Sequence, residues 1–255
     1  MLWGTVMKIG ILGNSVSMIM RPPRENRNDK TYAEILEKDD CYQIIHSGKR
    51  GAIINDAYGY LEDEIIRHSP DVVIIHFGIV EAATRIRDRL IYKHSERDDY
   101  KNSIFISKYP RTFVDKIQDY SLIIGAKFLE LMRRALHRRI NWISKQQFEY
   151  VLDVYIKQIK KELLCPIIIL GVADPGEVLE QKCPGTMEYV HFINGIFANK
   201  AKTEDGVYFI DIYSCEEMVG NTPDGSHFNA EGHRVVANKI QTLINRIFNE
   251  NKIEI

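Results

Sequence analysis

Hydrophobic positions along this chain follow two rhythms. Short, nearly continuous apolar runs occupy residues 6–12, 42–46, 71–78, 166–171 and 207–212, and each stops at or near a turn-forming residue. Runs of that length predict five strands. Between them lie stretches with apolar residues three or four positions apart, through Tyr60, Leu61, Ile65 and Ile66, then over 112–164 and 186–202. These predict helices. A last one should begin after Asn229, a good N-cap, and bury Val236, Ile240, Leu243, Ile244 and Ile247. Val72, Val73, Ile74, Ile75 and Phe77 leave no polar alternation, the pattern of a strand covered on both faces, so this strand is expected at the centre. Strands alternating with helices predict an α/β fold with a five-stranded parallel sheet covered on both sides. Residues 86–111 break the rhythm, being charged with little apolar periodicity, and read as a surface excursion.

Composition narrows the class without naming a function. The 255 residues carry 34 basic and 35 acidic side chains, a net charge of −1, with 45% hydrophobic and 27% charged residues. That suits one folded domain over 1–255, and nothing in the overall charge draws it to nucleic acid or an anionic membrane. No apolar run approaches the roughly 20 residues of a membrane helix. The first residues lack a basic stretch leading into an apolar one, so a cytoplasmic protein is expected. Cys41, Cys165, Cys183 and Cys215 are widely spaced with no C-x-x-C pair, which predicts reduced thiols and no zinc site.

In a parallel sheet, ligands bind beyond the carboxyl ends of the strands, where the loops after the first, second, third and fifth strands emerge. The first of these loops carries Ser15 behind Gly13-Asn14, and the last carries Asp224-Gly225-Ser226-His227. A serine hydroxyl becomes a nucleophile when a histidine takes its proton, and a carboxylate fixes the histidine tautomer. Ser226 competes with Ser15 for the nucleophile's part. Each piece alone is also compatible with an ordinary turn, a phosphate cradle or a cap. Arg85, past the third strand, could recognise an anionic substrate group or simply be solvated. His46 and His76 flank glycine loops, but no metal-ligand spacing surrounds them. Arg133-Arg134-Ala135-Leu136-His137-Arg138-Arg139 reads as a basic helix face, solvated or turned to a partner. Gly10-Ile11-Leu12-Gly13 lacks the third glycine of a dinucleotide fingerprint, and no G-K-S/T marks a P-loop.

Taken in order, these loops resemble the SGNH (GDSL-like) hydrolase family. Lys8-Ile9-Gly10-Ile11-Leu12-Gly13-Asn14-Ser15 is similar to its strand and G-D-S block, His46-Ser47-Gly48-Lys49-Arg50-Gly51 to its second block, Phe77-Gly78-Ile79-Val80-Glu81 to its G-x-N-D block, and Asp224-Gly225-Ser226-His227 to its D-x-x-H block. The resemblance implies a three-layer α/β/α, flavodoxin-like sandwich and ester hydrolysis or acyl transfer with no cofactor and no metal. It carries the nucleophile onto Ser15, the general acid/base onto His227, its orienting carboxylate onto Asp224, and the oxyanion hole onto the amides of Ser15 and Gly51. Two positions depart from the pattern. Asn14 replaces the aspartate of G-D-S, and Val80 replaces the asparagine that donates to the oxyanion. Asn14, His46 or Asn55 could stand in for it.

The expectation is therefore a serine esterase or acyl transferase of modest rate, acting on a small acyl ester, with a carbohydrate ester preferred and Arg85 as a substrate contact. The rivals are a non-catalytic SGNH-fold binding or scaffolding protein and a phosphate-binding module using the 13–15 turn. Oligomeric state is not legible.

Overall fold

The computed structural model describes residues 6–23, 28–38, 41–89, 92 and 113–250. The strands β1 (Met7–Asn14), β2 (Tyr42–Lys49), β3 (Val72–His76), β4 (Ile167–Leu170) and β5 (Val207–Ile210) form one sheet in the order β2-β1-β3-β4-β5. All pairings are parallel. Val72 to Ile75 lie in the middle strand, β3, every residue of which is buried. β1 and β2 both run further than the apolar pattern indicates, because their register continues through Gly13 opposite Gly48 and Asn14 opposite Lys49. Backbone pairing, not side-chain burial, sets where these strands end, and it brings the Ser15 turn level with the loop that contains Gly51.

The helices are α1 (Tyr32–Glu37), α2 (Leu61–Glu64), α3 (Ile79–Ala82), α4 (Phe113–Ala135), α5 (Lys145–Leu163), α6 (Gly176–Lys182), α7 (Thr186–Thr203) and α8 (Ala230–Glu250). α1 packs on β2 and α8, while α5 and α7 pack on each other and α7 covers β5. These helices flank the sheet and, with it, enclose one continuous apolar core. Asn229 caps α8 as expected, its Oδ1 accepting the Gly232 N–H at 2.8 Å. Two expectations are corrected. The pattern at Tyr60–Ile66 is not one helix but α2 between two 3₁₀ segments, Ile54–Gly59 and Ile66–His68, because Tyr60 and Ile65 leave helical geometry. The basic run is not one helix face: α4 stops at Ala135 and His137 takes a positive φ of 50°. Arg133 then pairs with Asp88 at 3.2 Å and Arg134 with Glu130 at 2.6 Å. Of the excursion expected at 86–111, only residues 86–89 and 92 fall within the described residues.

Candidate active site

Ser15 opens a 3₁₀ turn directly after β1, where the chain must leave the sheet. Asn14 caps that turn, its Oδ1 accepting the Val16 N–H at 3.1 Å, and Ser17 Oγ donates back to the Asn14 carbonyl at 2.8 Å. An amide oxygen serves this cap as an aspartate would. The Nδ2 end of Asn14 is buried with no partner among the described residues. The loop before α8 is held from within. Asp224 Oδ1 accepts the N–H groups of Ser226 and His227 at 2.8 and 2.7 Å, and Oδ2 lies 2.9 Å from His227 Nδ1. The D-x-x-H spacing thus closes a turn whose backbone aims the imidazole. His227 Nε2 lies 3.1 Å from Ser15 Oγ, across 212 residues of sequence.

The protonation pattern follows from these contacts. Burial by itself would raise the Asp224 carboxyl, but the hydrogen bonds from the His227 ring and the two amides outweigh it and hold the group down at about 2. An ionised carboxylate only accepts, so His227 Nδ1 must carry a proton. In the neutral imidazole this leaves Nε2 free to accept from the serine hydroxyl. Arg21 Nε lies 3.9 Å from Asp224 Oδ2, the oxygen that also meets His227 Nδ1.

A cleft of about 210 Å³ opens beside the serine. Ser15, His227, Gly51, Val80, Arg85, Arg21 and Arg50 line it, with Tyr92 and Trp142 on its wall. Gly51 has a φ of +60°, and a Cβ there would come within 2.6 Å of Tyr92 Oη, so both backbone and space demand glycine. Val80 is only 8% exposed and presents no donor. None of the three side chains considered as substitutes lines the cleft. His46 Nε2 is engaged with Ser17 Oγ at 3.0 Å. Asn14 Oδ1 is committed to its turn, and its Nδ2, unpartnered among the described residues, is not on the cleft wall.

Arg85 is not solvated as a helix-start arginine would be. Its Nη1 donates to the carbonyls of Val80 and Ala83, and its guanidinium lies 4.0 Å from the centre of the Trp142 ring. His76 is buried and turned away from the cleft, with Nδ1 3.1 Å from Tyr32 Oη and its ring stacked on Phe228. Burial, with the nearby His233 and His46, pushes it down to about 3, so it stays neutral. No group of three metal-ligating side chains occurs among the described residues.

Three contributors escape sequence reading. Glu81 is fully buried next to Val80 and accepts the Ile54 N–H at 2.6 Å and the Gly78 N–H at 2.9 Å, tying the loops after β2 and β3 together. Burial raises its carboxyl to about 7 against the lowering effect of those amides and of Arg89. Asn141 Nδ2 donates to the carbonyls of Glu81 and Ala82 at 3.0 and 2.8 Å. Trp142, one of two tryptophans, stacks under Arg85; its rarity was the one available signal.

No family model and no curated protein matches the chain. Solved structures do. An acetyl xylan esterase, AlAXEase, aligns with a TM-score of 0.55 at 17% identity, covering 93% of this chain and 100% of its own. The lipase/acylhydrolase from Enterococcus faecalis gives 0.55 at 18% identity, over 94% and 95%. The chain has an SGNH hydrolase-like fold. The acetylxylan esterase Axe2 from Geobacillus stearothermophilus aligns at 0.54 and 14% identity, over 93% and 94%. Its structures include catalytic mutants in which a serine, an aspartate and a histidine three residues after the aspartate are each replaced by alanine. Identities this low speak to the SGNH-type three-layer α/β/α fold and not to the substrate.

Proposed function

We propose that this chain is a serine esterase or acyl transferase acting on a small acyl ester, with Ser15 as nucleophile, His227 as general base and then general acid, and Asp224 holding the useful tautomer. The observation that carries the reading is the unbroken chain from Ser15 Oγ to His227 Nε2 at 3.1 Å and from His227 Nδ1 to Asp224 Oδ2 at 2.9 Å, set on the wall of a cleft. Esterases and acylhydrolases among the structures of the same fold support it. In the acylation step His227 Nε2 takes the proton as Ser15 Oγ attacks the carbonyl carbon, and the imidazolium so formed is stabilised by the adjacent Asp224 carboxylate. The same proton then goes to the departing alcohol, and water or a second alcohol releases the acyl group. The developing oxyanion is assigned to the N–H groups of Ser15 and Gly51. Val80 adds nothing there, which makes for a slow enzyme on unselected esters.

Ser226, the competing nucleophile, has its amide bound to Asp224 Oδ1, and the histidine that would activate it is occupied by Ser15. Engagement of the Ser15 hydroxyl with His227 also weighs against a bare phosphate cradle. The test is covalent. A fluorophosphonate probe should label the wild type at Ser15, and Ser15→Ala should abolish both labelling and turnover of p-nitrophenyl acetate while the circular dichroism spectrum is kept. Labelling that survives in Ser15→Ala and disappears in Ser226→Ala would overturn the assignment, and no labelling of the folded wild type would favour the non-catalytic rival.

A further inference from the structure

Among the described residues the wall of the cleft carries charge of one sign: Arg21, Arg50 and Arg85 line it, and no aspartate or glutamate does. This is not a consequence of composition, since the whole chain carries a net charge of −1. Elsewhere in this region, Arg89 and Arg133 pair with Asp56 and Asp88. Arg85 differs. Among the described residues it makes no ion pair, and its donors go to the Val80 and Ala83 carbonyls, which orient the guanidinium without neutralising it. The ring of Trp142 fixes its other face. Arg21 lies close to Asp224, so it balances that carboxylate while remaining partly exposed. Ile19, Ile79 and Val80 add apolar surface to the wall and lower the local dielectric, which strengthens any charge contact made inside.

We propose that this cleft selects esters whose alcohol part carries a compact anionic group, a carboxylate or a phosphate, held by the arginines beside the nucleophile. The inference rests on the esterase reading above for its position in a reaction. The alcohol side is favoured because the leaving oxygen takes its proton from His227, and Arg21 lies next to the His227–Asp224 pair. Planar guanidinium groups bind such anions through two parallel hydrogen bonds, which an uncharged sugar hydroxyl does not reproduce.

The experiment compares three acetyl esters of similar size: 3-acetoxybenzoate, its neutral amide 3-acetoxybenzamide, and 3-acetoxyphenyl phosphate. At low ionic strength kcat/KM should favour an anionic ester over the amide by about tenfold or more, mainly through KM, and the preference should shrink as salt is raised. Arg21→Gln and Arg85→Gln should each reduce the ratio. Which of the two anionic esters leads assigns the group as carboxylate or phosphate. Equal kcat/KM for all three in a turnover that Ser15→Ala abolishes would overturn the anion preference and leave the esterase intact. If no ester is turned over, calorimetry with 3-hydroxybenzoate, 3-hydroxyphenyl phosphate and 3-hydroxybenzamide decides the binding question by itself. Tighter binding of an anion that weakens in Arg21→Gln supports the arginine site, and equal or absent binding of all three refutes it.

Discussion

On the proposed serine-esterase function, replacing Val80 by asparagine should speed ester hydrolysis, and the structure sets the size of the change. Val80 lines the same cleft as Ser15 and Gly51, follows Gly78 at the start of α3, and is 8% exposed, so its side chain is fixed and desolvated where a donor would act most strongly. Removing one oxyanion donor from a working site typically costs about 10²–10³ in rate; adding one to an unrefined site should recover less, about 10- to 100-fold, or about 1.4–2.7 kcal/mol of barrier. The gain belongs in kcat, because the bond strengthens only as negative charge develops, and KM should stay nearly constant. There is an opposing cost. Val80 belongs to the apolar core, and placing an amide there without a ground-state partner should lower stability by about 1–3 kcal/mol. The assay is steady-state hydrolysis of p-nitrophenyl acetate at 25 °C with thermal melts alongside, using Val80→Thr as a donor of nearly the same shape and Val80→Ala as the control that only removes packing. If Val80→Asn and Val80→Thr both fold and neither exceeds wild-type kcat, the hole is not short of a donor at this position. Wild-type turnover near the median of about 10 s⁻¹ on such a generic ester would equally show that no donor is missing.

Asp224→Asn should lose about 10³- to 10⁴-fold in kcat with little change in fold, since the amide can still accept the Ser226 and His227 N–H bonds through Oδ1 while no longer enforcing the Nδ1–H tautomer; a loss under tenfold would show that the tautomer is held otherwise. His76 is held down to about 3 in the folded protein against 6.5 for a free imidazole, so the unfolded chain binds the extra proton first and stability falls as pH drops below 6.5. That one group should cost about 2 kcal/mol between pH 6.5 and 5, and His76→Gln, which keeps an acceptor for Tyr32 Oη, should show a correspondingly smaller drop in Tm over that interval. Equal drops for both proteins would mean that His76 does not resist protonation.

Much of this molecule was legible in its sequence because the information was local. The nearly continuous apolar run of Val72, Val73, Ile74, Ile75 and Phe77 predicts a strand covered on both faces, and Asn229 before an apolar helical stripe predicts a cap, so the central strand and α8 followed from periodicity. The Asp224-x-x-His227 turn is local as well, since its bonds close within four residues. The distance between Ser15 and His227 was not local. It depends on how β1 pairs with β2 and β3 and on how α8 folds back, and those contacts span most of the chain. Glu81 shows the same limit more sharply: a carboxylate in a short helix reads as exposed, and only packing reveals that two backbone amides from different loops needed an acceptor where water is excluded. Arg85 reads from sequence as solvated or as an anion contact, and tertiary structure shows where its guanidinium sits, on two carbonyls and against the Trp142 ring. The chain supplies carbonyls instead of a carboxylate to hold it, so a positive charge stays on the cleft wall. Sequence sets what each segment can form, whereas burial and long-range pairing set which polar groups meet, because the energy of a charge or hydrogen bond depends on surroundings contributed by residues far away in the chain.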